Sequence, residues 1–121
     1  MPVEPFARAE WRPLPHEGAR DVELRVLWHE DDLLVAQLRF GEHANVHEHA
    51  GPNDAYVSCL AGRGFTKLGD EVEPIEEGQR VFWPKGVVHG LWTDGSTMVT
   101  LMVERPAAPA PRQCAARRGS A

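Results

Sequence analysis

The chain predicts an all-β fold in a single domain, and three observations carry that reading. Ten prolines and eleven glycines are scattered as punctuation between short apolar runs. Those runs alternate with a period of two or form brief continuous stretches, and no long run carries helical periodicity. A length of 121 residues gives one hydrophobic core and is short for two.

Taken in order, residues 1–20 carry Pro2, Pro5, Pro13 and Pro15, which predicts an extended arm with at most short strands. Residues 22–28 alternate, His29-Glu30-Asp31-Asp32 forms a polar turn, and residues 33–40 make a second strand. After Gly41 comes a strand over 44–49, and after the turn Gly51-Pro52-Asn53-Asp54 another over 55–61. Gly62-Arg63-Gly64 reads as a strand-to-strand turn. Residues 65–68 and 71–75 flank Gly69-Asp70 as a hairpin. Strands over 79–83, 87–93 and 97–104 complete the set, with Asp94-Gly95 turning between the last two. The working domain spans 21–105, and 106–121 reads as a mobile tail. So many short strands must close on themselves or stack as two sheets, and periodicity does not choose between sandwich and barrel.

Composition excludes several classes of function. With 42% hydrophobic and 26% charged residues, this is the profile of a soluble globular protein. The net charge is −5 and the only basic cluster, Arg112, Arg117 and Arg118, lies in the tail, so no nucleic-acid partner is expected. No apolar run has signal-peptide or membrane-spanning character, so no membrane partner and a cytoplasmic location are expected. Cys59 and Cys114 read as two free thiols.

The histidines carry the chemistry. Residues two apart on a strand share a face, so His43, Asn45, His47 and His49 are expected to point the same way. Imidazoles at i and i+2, about 7 Å apart along the strand, can converge on one metal about 2.1 Å from each nitrogen. A third ligand must come from another strand, and His89 lies on the next strand that carries a histidine. His-x-His alone fits hydrogen-bonded or surface histidines equally well.

The rest of the pattern is more specific. Gly41-x5-His47-x-His49-x4-Asp54 resembles the first motif of the cupin superfamily, which ends in Glu where this chain has Asp54. Gly78-x5-Pro84-x-Gly86-x2-His89 matches the second motif through its histidine, and the Asn that follows in the family falls on Thr93. The resemblance covers residues 33–104. It implies a cupin-type jelly-roll β-barrel whose motif residues His47, His49 and His89 bind one metal inside the barrel mouth. Asp54 stands at the family's carboxylate position counted from His49, whereas counting back from Gly62 puts Ala55 there; Asp54 also reads simply as a turn residue. Gly41 and Gly78 suit turns of positive φ. His43 is a candidate for the pocket wall, Asn45, Thr93 and Thr100 for accepting a ligand's other ring N–H, and His16 and His29 are expected to be exposed.

Such a donor set suits one divalent transition metal, Fe(II), Mn, Ni, Co, Cu or Zn. Val57, Cys59, Val87 and Leu91 share the inward parity, and Phe82, Trp83 and Trp92 stand near the second motif as core, dimer face or substrate contacts. An apolar interior with a few polar groups suits a small organic molecule. The expectation is therefore a metal-dependent, dioxygenase-like cupin enzyme, or a non-catalytic binding module. Cupins of this size imply a homodimer, in which the arm adds a strand to the partner barrel.

Overall fold

The alternation of residues 33–40 does not end at Gly41. It continues to Ala50, so β3 (Leu33–Ala50) is one strand of 18 residues. In the same way β4 (Asn53–Leu68), of 16 residues, runs unbroken through Gly62-Arg63-Gly64. The turns expected at these glycines are bends inside long strands. The computed structural model describes residues 3–6 and 10–106, with His47 as backbone alone. The other strands are β1 (Arg12–Pro13), β2 (Arg20–Glu30), β5 (Glu71–Glu76), β6 (Arg80–Trp83), β7 (Val88–Trp92) and β8 (Met98–Pro106), and no helix occurs among the described residues. Beyond Pro106 the expected tail, with Cys114 and its three arginines, lies outside the described residues.

Every pairing is antiparallel. The first half of β3 lies between β2 and β8, and β8 goes on to pair with the first half of β4, whose other edge takes β6. The second half of β3 pairs with β7, which pairs with the second half of β4, bordered by β5. Strands β3, β8, β4 and β7 thus close a ring, and the two long strands cross from one sheet to the other. This is a jelly-roll barrel, and closure removes most of the exposed strand edge.

The crossing of β3 is built from local chemistry. Gly41 is not among the residues of positive φ; its missing Cβ leaves the space that the Asp21 carboxylate occupies. Asp21 itself is left-handed, at φ 56°, where β2 breaks register between Arg20 and Val22. Short polar side chains tolerate that conformation best. Thr93, in the place of the expected Asn, braces the bend: its Oγ1 accepts from the Ala44 N–H at 2.9 Å and donates to the Gly41 carbonyl. Gly78 does take the positive φ expected of it, at 89°.

Inside the barrel, Val22, Leu38, Phe40, Ala44, Val57, Cys59, Leu91 and Met98 form the buried core. Each large side chain fully buried there contributes about 1.5–3 kcal/mol. Cys59 is a free thiol whose pKa is raised by burial. Thr100 is also fully buried, opposite Leu38 and Cys59 in the ladders, and is not among the residues that line the histidine cavity.

Candidate functional site

The site begins with the register between β3 and β7. His89 and Leu91 are two apart on β7 and both are buried, so their partners across the ladder, His49 and Val46, face the interior with them. From Val46 to His49 is one residue more than from Leu91 to His89, and β3 carries a bulge there. The bulge is what lets an odd-numbered histidine join a face built from Leu38, Phe40, Ala44 and Val46. The expected common face is corrected accordingly. The His43 side chain is 71% exposed, beside Asp94 at 3.7 Å, and Asn45 borders a second cleft with Glu48, Val88 and Trp92, which His49 also reaches. The side chain of His47 lies outside the described residues.

His49 and His89, far apart in the chain, meet with ring centres 4.6 Å apart. His89 is 5% exposed and stacks on Trp83 at 4.0 Å, the two rings 8° from parallel. Trp83 is held in turn: its indole N–H donates to Thr66 Oγ1 at 3.2 Å, and Thr66 donates to the Gly90 carbonyl at 3.1 Å. Trp83 is therefore a wall of the site as well as part of the core. The Nδ1 of His89 lies 3.1 Å from the Val87 carbonyl. Donation there fixes the tautomer and leaves Nε2 as the lone-pair nitrogen. Burial, reinforced by His49 and His16 and opposed by the Val87 carbonyl, pushes the His89 pKa down to about 4. At neutral pH the ring is uncharged, the form that binds a metal.

A third imidazole arrives from the arm, where an exposed histidine was expected. In β1, Arg12 and Pro13 pair with Leu24 and Glu23 of the same chain, and the Leu14 N–H donates to the Val22 carbonyl at 3.0 Å. Trp11 lies between two guanidinium groups, Arg25 at 4.6 Å and Arg39 at 4.4 Å from its ring centre. This fastening brings the His16 ring to 4.3 Å from that of His49 and buries its Nε2 with no hydrogen-bond partner among the described residues. Leu14, Pro15 and His16 all line one cavity of the barrel.

That cavity, of about 270 Å³, is walled by Leu14, Leu24, Leu34, Leu38, Val46, Ala55, Trp83 and Met102, with His16, His49 and His89 among them. Asp54 is not part of its lining, whereas Ala55 is. The Asp54 carboxylate accepts the Lys85 N–H at 2.8 Å, and the residue borders a cleft with Leu33, Tyr56 and Phe82. It ties the β3–β4 turn to the loop that leads into the His89 strand. A neutral imidazole backed by a carbonyl, as in His89, is a suitable donor for a borderline metal, but no group of three or more His, Cys, Asp or Glu among the described residues, which leave out the His47 side chain, is arranged to hold one.

Comparison with known proteins follows the same lines. Three solved structures of the same fold are similar to this chain. The polyketide cyclase RemF of Streptomyces resistomycificus has 21% identity and a TM-score of 0.77, over 88% of this chain and 82% of that one. A cupin-2 domain protein of Rhodospirillum rubrum has 15% identity and a TM-score of 0.73, over 90% and 76%. KdgF of a Halomonas species has 16% identity and a TM-score of 0.70, over 82% and 87%. No curated protein matches in sequence. The family described as the cupin domain matches residues 34–104, from the start of β3 through both histidine segments and into β8, and the chain belongs to that family.

Proposed function

We propose that this chain is a metal-dependent cupin that acts on a small, neutral organic molecule held in the barrel cavity. His47, His49 and His89 would hold the metal. The observation that carries the reading is the meeting of His49 and His89 over the cavity, with His89 Nδ1 committed to the Val87 carbonyl. Bound there, a divalent metal supplies Lewis acidity, or with Fe(II) a place for dioxygen beside the substrate. The protein's own part is clear in outline: the neutral imidazole of His89, an apolar wall that excludes water, and no lysine or arginine among the lining residues to attract an anion. That one neighbour in fold is a polyketide cyclase is consistent with a small organic substrate.

A second reading is a non-catalytic binding module, since the largely apolar cavity would hold a small molecule without any metal. The experiment that separates them starts with elemental analysis of protein purified without added metal. One equivalent of metal is expected, with affinity strongly reduced in His49→Ala or His89→Ala, each of which removes a coordinating nitrogen, and unchanged in His29→Ala and His43→Ala. Equal metal content in all four variants would remove the metal centre. Metal retention without oxygen uptake by the Fe(II) form, across small thiols, diketones and phenols, would leave the binding module.

A further inference from the structure

His16 presents a polar atom that none of the described residues satisfies. Its Nε2 is buried and unpartnered, and it is the one such side-chain atom, among the described residues, that belongs to a residue lining the cavity. Buried polar atoms are paired in the great majority of cases, and an unpaired one costs about 1–3 kcal/mol. The position is not a loose end. The His16 N–H donates to the Leu14 carbonyl at 2.9 Å, the His16 carbonyl accepts from the Ala19 N–H at 3.0 Å, and the ring packs on His49. Trp11, clamped between Arg25 and Arg39, fixes the segment to the barrel.

The surroundings define what completes it. The nearby wall is aliphatic and aromatic, and the one acidic lining residue, Glu104, is engaged by the Asn53 amide at 3.4 Å. A cavity of about 270 Å³ takes a molecule of one or two rings, below the usual drug-sized pocket. We infer that His16 is a ligand-binding residue, and that the cavity takes a small, neutral, ring-bearing molecule whose hydroxyl group hydrogen-bonds to His16 Nε2. A hydroxyl both donates and accepts, so it satisfies that nitrogen in either tautomer. The inference rests on the reading of the cavity as an organic-ligand site and is independent of the metal.

Phenol and toluene test it, because they match in size and differ in hydroxyl against methyl. Titrated into the full-length protein, phenol should bind about tenfold more tightly than toluene, reversing their order of hydrophobicity. His16→Phe should abolish that advantage while toluene still binds. In the wild-type protein, phenol should shift the ring nitrogen resonances of His16 and leave those of His29 and His43 in place, a readout that needs no variant. If both probes bind with no preference for phenol, or phenol shifts only His49 or His89, the assignment of His16 is overturned and the cavity reading stands. If neither probe binds, the cavity reading falls and the inference falls with it.

Discussion

The two halves of β3 use the same chain in opposite ways. From Leu34 to Phe40 the strand pairs with β8 without a break, and Ala36, Leu38 and Phe40 are buried in strict alternation. From Asn45 to Ala50 it pairs with β7 across a register shift, and the face it presents carries His49 instead of an aliphatic residue. Regular alternation builds the core, and a single added residue builds the site. The lesson is that function here enters through a defect in the ladder, held in place by strands that have none.

The sharpest way to break that contrast is Phe40→Ala. Phe40 is among the largest fully buried side chains, and the cavity left behind should cost about 3–5 kcal/mol in urea unfolding. His49→Ala, from the other half, should cost far less stability while losing metal. Comparable losses of stability from both would erase the division between them.

A smaller effect comes from His89, whose neutral state is built into the fold. Its pKa falls from 6.5 in the unfolded chain to about 4 in the folded one, so the unfolded state binds the extra proton. The contribution of the neutral ring is complete above about pH 6.5, declines as pH falls toward 4, and is level below that. It amounts to about 3 kcal/mol, at about 1.4 kcal/mol per unit. Urea titrations in metal-free buffer at pH 7 and pH 5 should show the decline, and His89→Phe should flatten it. An unchanged slope in the variant would assign the acid sensitivity elsewhere.

Asp54 gives the smallest effect. Asp54→Ala leaves the Lys85 N–H without its acceptor and should cost about 1 kcal/mol, whereas Asp54→Asn, which keeps an acceptor oxygen, should be nearly neutral. Metal content should be the same in both. A loss of metal in Asp54→Asn would move this carboxylate into the centre after all.

Much of this arrangement could be read from residues in order. The run 33–40, the Asp31-Asp32 turn and the Gly69-Asp70 hairpin are local signals, and each stands where local chemistry puts it. The meeting of His49 and His89 was legible because two spaced motifs point to one barrel mouth. The bulge was not, since one added residue changes the parity of a strand without changing its composition. The same sensitivity governs Asp54: the extra residue before Gly62 was the cue that Ala55, not Asp54, takes the inward position. His16 was hidden for a different reason. Its place depends on Arg12 and Pro13 finding β2 and on Trp11 finding two arginines, and none of those contacts is local.

The long strands that cross between the sheets have a consequence for how the molecule opens. Because β3 and β4 each belong to both sheets, neither sheet can separate without dissolving the ladders of the other. The ring of β3, β8, β4 and β7 therefore behaves as one cooperative unit, whose innermost amides exchange with solvent only on global unfolding. The arm is outside that unit. Its two paired residues and its tryptophan clamp can release alone, at a fraction of the global free energy, and carry Leu14 and His16 away from the cavity while the barrel stays whole.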